Sequence, residues 1–114
     1  MSPTLRRAFE RELVQFAEKS AARELDAAWK CLERAHVLSQ GYAVPHVRVH
    51  GAMFWLAVRR GDVREILGQI PRLLLAGPAS LLGRAPRGNT GGSNVGILTP
   101  MAIPSDLEEI LRHP

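Results

Sequence analysis

His36, His46 and His50 are three of the four histidines in this 114-residue sequence, and only the short stretch between Ser39 and Pro45 separates the first from the other two. On a helix, His46 and His50 share one face because they are four residues apart, and Met53 extends that face by three. His36 and Gln40 form the matching pair on the segment before. Imidazole, amide and thioether groups can therefore meet at one end of a helical hairpin. Two histidines at i and i+4 with a third from a packed neighbour form a ligand set that first-row metals accept. Without a nearby pair of cysteines it leaves a coordination position open, unlike a closed structural zinc site. Zinc or copper is the ion such a set takes. Sulfur from Met53 or Cys31 would shift the preference to Cu(I), but Cys31 lies five residues before His36, about 500° around a helix, and so away from the imidazole. Glu33 precedes His36 by three, the Glu-x-x-His spacing of di-iron bundles, yet the second copy such bundles need is absent from the sequence. Asn89, further along the chain, offers another amide.

Two other chemistries use the same residues. The histidines can form a hydrogen-bonded polar layer where two helices meet, with no ligand at all. Alternatively, one imidazole can serve as a proton-transferring base, since its ordinary pKa is about 6.5. No nucleophile elbow surrounds Ser80 or Ser93, and Gly88-Asn89-Thr90-Gly91-Gly92-Ser93 lacks the lysine and following helix of a phosphate-binding loop.

The elements that must position these residues read as helices. Ser2 and Pro3 give a start, and Leu5, Phe9, Leu13, Phe16 and Ala17 form an apolar stripe opposite Arg6, Arg7, Glu10, Arg11 and Glu18. A turn near Arg23 is expected, because an unbroken helix from Pro3 to Gln40 would far exceed the usual length. A second helix follows from Leu25 to Ser39, with Trp29 as a core anchor. Gly41 stops it, and Pro45 opens a third that runs to Arg60, with Val49, Met53, Phe54, Leu56 and Ala57 inward. Asp62 caps a fourth, whose Val63, Ile66, Leu67 and Ile70 repeat at helical spacing until Pro71 kinks or stops it. The two hairpins open their second helices at a separation near the period of tetratricopeptide repeats. The expected fold is all-α, a tetratricopeptide-like four-helix domain over residues 1–82. A Gly-, Pro- and Asn-rich strap docks on it over 83–104, and a short helix capped by Ser105 closes the chain over 105–114, all as one domain.

Composition bounds the partners. Apolar residues make up 46% of the sequence and Lys plus Arg outnumber Asp plus Glu by 15 to 11, but the cations are interleaved with carboxylates along helix faces. Phosphate recognition needs a continuous basic stripe, so no specific nucleic-acid partner is expected. A protein partner or a second copy of the chain fits better. The single Cys31 suits a reducing compartment, and the polar N-terminus has no apolar leader segment, so a cytoplasmic setting is expected. The most apolar run, Ile66 to Leu82, is broken by Gln69, Pro71, Arg72 and Pro78 and does not read as a membrane span.

Leu32-Glu33-Arg34-Ala35-His36-Val37-Leu38, together with His46, His50 and Met53, Gly88-Asn89-Thr90-Gly91-Gly92 and Pro100-Met101, resembles a family of short bacterial proteins catalogued as a domain of unknown function. The likeness spans most of the chain. Ser39 departs from the small residue, often Gly, associated with that position. The resemblance implies a small protein sometimes found among metal-resistance genes, and it supplies no catalytic residues. The leading expectation is thus a metal-binding or metal-response accessory protein using His36, His46 and His50, with Gln40, Met53, Glu33 and Asn89 as possible further members of the site. The alternative is a tetratricopeptide-like interaction module with a structural histidine layer.

Overall fold

A computed structural model describes residues 1–113. It is all-helical, with α1 over Pro3–Ala21, α2 over Leu25–Ser39, α3 over Ala43–Arg60, α4 over Val63–Leu81 and α5 over Ser105–Arg112, and no strand occurs among the described residues. Local chemistry sets most of the ends. Ser2 Oγ accepts from the Leu5 amide at 3.1 Å to cap α1, and Asp62 Oδ1 accepts from the Glu65 amide at 3.1 Å to cap α4. Arg23 turns the chain between α1 and α2 with φ +60°, and Gly61, left-handed at φ +69°, ends α3.

Three expected boundaries move. Helix α3 begins at Ala43, two residues before Pro45, because a proline in the first turn removes an amide that has no partner there anyway. Ser105 is the first residue of α5 and Pro104 occupies the cap position without a side-chain hydrogen bond. The larger correction is in α4, which continues through both Pro71 and Pro78. Each proline leaves the carbonyl four residues earlier without its helical donor. Those residues, Leu67 and Leu74, are 60% and 73% exposed, so water can take the freed carbonyls and the helix survives.

Helices α1 and α2 pair, α3 packs on α2, and α4 lies along α3. The main core joins Phe9 of α1, Ala28, Leu32 and Ala35 of α2, and Val49, Met53 and Leu56 of α3. Trp29 sits partly buried at its edge rather than at its centre. A second cluster joins Leu5, Val37 and Leu38 to Leu107, which pins α5 onto the α1–α2 pair. Arg34 reinforces that junction by donating to Glu12 at 2.8 Å and to Asp106.

Helix α4 faces opposite to the direction its periodicity suggests. Val63, Leu67, Ile70, Leu74 and Leu81 are exposed, whereas Glu65, Gln69, Ala76 and Ser80 are buried. No α4 residue belongs to either apolar cluster, and no helix among the described residues is long and apolar enough to cross a membrane. Truncating Leu32 to Ala should therefore cost about 2–5 kcal/mol in chemical denaturation, as for a filled core site, whereas Leu74→Ala should change stability by no more than roughly 0.5 kcal/mol. Comparable losses from the two variants would contradict this orientation of α4.

Candidate metal centre

The connection from Gln40 to Tyr42 is a single turn, closed by the Tyr42 amide donating to Ser39 O at 2.9 Å. It sets the last turns of α2 beside the first turns of α3. His36 from α2 thereby meets His46 and His50 from α3, and all three are buried, with 2–4% of their surface exposed.

Every Nδ1 of the three rings faces an acceptor. His36 Nδ1 donates to the Asn89 carbonyl at 2.6 Å. His50 Nδ1 donates to Gln69 Oε1 at 2.7 Å. That amide orientation is fixed, because Gln69 Nε2 donates to Gly91 O at 2.9 Å and to Glu65 Oε1 at 3.2 Å. His46 Nδ1 lies 2.7 Å from Ser80 Oγ and 3.1 Å from Ala76 O. Ser80 spends its own proton on Gln40 O at 2.6 Å, so its oxygen accepts from His46. All three protons sit on Nδ1, and each Nε2 carries a bare lone pair. These three Nε2 atoms face one another at 2.9 Å (His46 to His36), 3.0 Å (His36 to His50) and 3.2 Å (His50 to His46). Three acceptors at hydrogen-bond distance with no proton between them repel one another.

Burial keeps a proton from resolving the conflict. Desolvation first, and then the charge of the neighbouring His50, bring the pKa of His46 to about 4; His50 is likewise lowered to about 4, chiefly by desolvation. His36 falls well below its ordinary 6.5 for the same reason, with His50, His46 and Arg72 adding to the effect. Rings this weakly basic suit proton abstraction near neutral pH poorly. They suit a cation that competes with protons for nitrogen.

Residues 82–104 contain no helix or strand and cross this end of the hairpins. Gln40 clamps them, donating to Pro86 O at 2.6 Å and accepting from the Gly88 amide at 2.9 Å. Asn89 stabilises the path from within: its amide donates to Gly96 O at 2.9 Å and Thr99 O at 2.7 Å, and its Oδ1 accepts from the Gly91 amide at 2.8 Å. Glu65 accepts from the Ser93 amide at 2.9 Å and from the Ser93 hydroxyl. A carboxylate, an amide and an imidazole thus line up as Glu65, Gln69 and His50.

Of the residues named from sequence, His36, His46 and His50 converge; Asn89 accepts directly from His36, while Gln40 touches no histidine and reaches His46 only through Ser80. Met53 does not join: it is fully buried in the main core with Phe9 and Leu32. Glu33 pairs with Lys30 at 3.5 Å and is not part of the cluster, although its side chain is only 14% exposed. Cys31 is buried apart from the cluster. Gln69, Ser80, Glu65 and the Ala76 carbonyl were missed, though the spacing of Glu65, Gln69, Ala76 and Ser80 marks one helix face. That polar face was legible once α4 was allowed to point it inward.

Among the described residues, His36, His46 and His50 are the one group of three or more His, Cys, Asp or Glu side chains placed to hold an ion, with ligand atoms within 4.8 Å of one another. The family model described as "Protein of unknown function (DUF3703)" matches residues 3–111. The chain belongs to that family. No curated protein and no solved structure matches it. The DUF3703 match takes in all three histidines and every residue that orients them.

Two outcomes are expected for the metal-free protein. Each histidine has a folded pKa below its unfolded value, so the folded state binds fewer protons and stability falls as pH drops. The loss begins near 6.5 and continues to about 4 as His46 and His50 take up protons. Denaturation midpoints measured from pH 7 to pH 4 should show this slope, and the His46→Gln/His50→Gln double variant should flatten it. Gly91 has φ +89°, and a Cβ there would stand 2.6 Å from His36 Cδ2. Gly91→Ala should therefore lower the melting temperature by several degrees and shift the His36 imidazole NMR signals, whereas Gly41→Ala, which meets nothing within 4 Å, should leave those signals in place.

Proposed function

We propose that this DUF3703 protein binds one first-row transition metal ion through Nε2 of His36, His46 and His50 and serves as a metal-handling accessory protein. The observation that carries the reading is the tautomer pattern: three Nδ1 atoms commit their protons to fixed acceptors, so three bare Nε2 lone pairs face one another. Partners on the far nitrogen that fix ring orientation are the usual support of metal-ligating histidines. A hydrogen-bonded structural layer would instead give each ring a donor–acceptor partner on both sides. With Nε2 atoms 2.9–3.2 Å apart, the three imidazoles would hold one ion together, and three protein ligands would leave room for a further donor. The set holds nitrogen and no sulfur, since Met53 and Cys31 are elsewhere, which favours Zn(II) or Cu(II) over Cu(I). A cytoplasmic setting and a bacterial, metal-resistance context belong to this proposal, as does the role of residues 83–104 as a strap closing the site.

A second reading is a tetratricopeptide-like arrangement of the two hairpins acting on a protein partner or a second copy. What favours it is the exposed apolar stripe of α4, from Val63 through Leu67, Ile70 and Leu74 to Leu81. The two readings separate in one assay. Tag-free protein dialysed after exposure to Zn(II) should retain about one equivalent, and His46→Ala/His50→Ala should retain none. Stoichiometry unchanged in that variant would sink the ligand assignment. Gln69→Leu, which removes the acceptor for His50 Nδ1, should weaken zinc affinity by about 10- to 100-fold while leaving the stoichiometry intact.

A further inference from the structure

All three imidazoles line one cavity of about 220 Å³, together with Arg72, Ala76, Ala79, Ile97 and Leu98. No Asp or Glu lines it. Its only formally charged side chains are Arg72 and Arg84, and neither makes an ion pair with an acid among the described residues. Arg72 spends one Nη on Gly68 O and the other on Val95 O, both at 2.8 Å. Both hydrogen-bond partners are neutral carbonyls, and Glu65, the acid whose field reaches Arg72, makes no ion pair with it.

A divalent ion on three neutral imidazoles would bring two further positive charges to the same wall. Uncompensated charge next to an apolar cavity is costly, and a fixed cation beside a low-dielectric space favours an anion brought in from outside. The rest of the wall chooses what kind. Leu75, Ala76, Pro78, Ala79, Leu82, Ile97 and Leu98 cannot replace the hydration of a sulfate or phosphate, but they can cover a hydrocarbon body. An apolar cavity of about 150 Å³ suffices for a benzene ring, so this one has room for a ring and a carboxylate.

Resting on the three-histidine metal reading, we infer that the cavity is a binding site for a small monocarboxylate with an apolar body. The carboxylate takes the open position on the metal within the field of Arg72, and the hydrocarbon lies against Ala79, Ile97 and Leu98. The protein thereby binds its metal and an organic acid as one unit.

Cobalt(II) makes the site visible, because its d–d absorption changes when a ligand enters the open position. Co(II)-loaded protein should show a saturable spectral change with benzoate, at least tenfold tighter than with acetate, which lacks the apolar body, or benzamide, which lacks the charge. Ala79→Phe should fill the hydrocarbon part of the cavity and abolish the benzoate response, with cobalt uptake as the control for folding. Arg72→Gln should weaken benzoate by tenfold or more while leaving benzamide unchanged. A spectrum indifferent to benzoate in cobalt-loaded protein would overturn this inference and leave the metal reading standing. Equal affinity for acetate would overturn the apolar half, and equal affinity for benzamide the anionic half. Protein that takes up no cobalt overturns the metal reading and this inference together.

Discussion

The commitment of three Nδ1 protons to acceptors on other segments is the constraint from which the rest of this structure follows. A buried imidazole must satisfy its N–H or lose the free energy of a hydrogen bond. Here the acceptors come from Asn89 O, Gln69 Oε1, and Ser80 Oγ with Ala76 O. The rings belong to α2 and α3, whereas the acceptors belong to α4 and to residues 82–104. Satisfying the histidines therefore requires α4 to turn its polar residues inward and the glycine-rich segment to come close over the hairpin ends. The exposure of Val63, Leu67, Ile70, Leu74 and Leu81 follows, because one helix cannot present both faces to the same neighbour.

This divides the molecule energetically. Helices α1, α2, α3 and α5 are held by two apolar clusters and by the Arg34 junction with Glu12 and Asp106. Helix α4 adds no residue to either cluster and residues 82–104 add only Ile103 at the edge of the second; polar contacts join these two segments and tie them to α2: Glu65 with Ser93, Gln69 with Gly91, Ser80 with Gln40, and Arg72 with Val95. Hydrogen bonds are directional and contribute only about 0.5–1.5 kcal/mol each net of water, so such a region keeps its geometry only while the network is complete. An ion on the three Nε2 atoms would bind the folded arrangement and not the unfolded chain, adding its binding free energy to the less apolar half of the fold.

The same arrangement accounts for the electrostatics. The three rings are buried beside one another and near Arg72, with the Glu65 carboxylate one residue removed behind Gln69. Desolvation and mutual repulsion hold the imidazoles neutral well below the ordinary histidine range. Neutral rings with free lone pairs are available to a cation, and no carboxylate lines the cavity next to them.

Much of the helical layout and the three histidines were legible from residue types and spacing alone. Ser2-Pro3 and Asp62 mark starts by side-chain chemistry, and Gly61 marks a stop because only glycine adopts its left-handed turn without strain. The i, i+4 pair of His46 and His50 needs only helical geometry to share a face, and the short link after Ser39 brings His36 beside them. The direction of α4 was not legible, since periodicity reveals that a helix has two unlike faces but not which one its neighbours will cover. Burial of the apolar face is the usual outcome, and here the hydrogen-bond demand of three imidazoles reversed it. Pro71 and Pro78 read as breaks in the sequence, and only the solvent around Leu67 and Leu74 made them tolerable. Nor can a sequence announce the carbonyls of Asn89 and Ala76 as partners, because every residue carries the same backbone oxygen. Residue types determined that imidazoles would meet. The tertiary structure alone decided where their protons would go, because the acceptors lie 19 to 53 residues away along the chain.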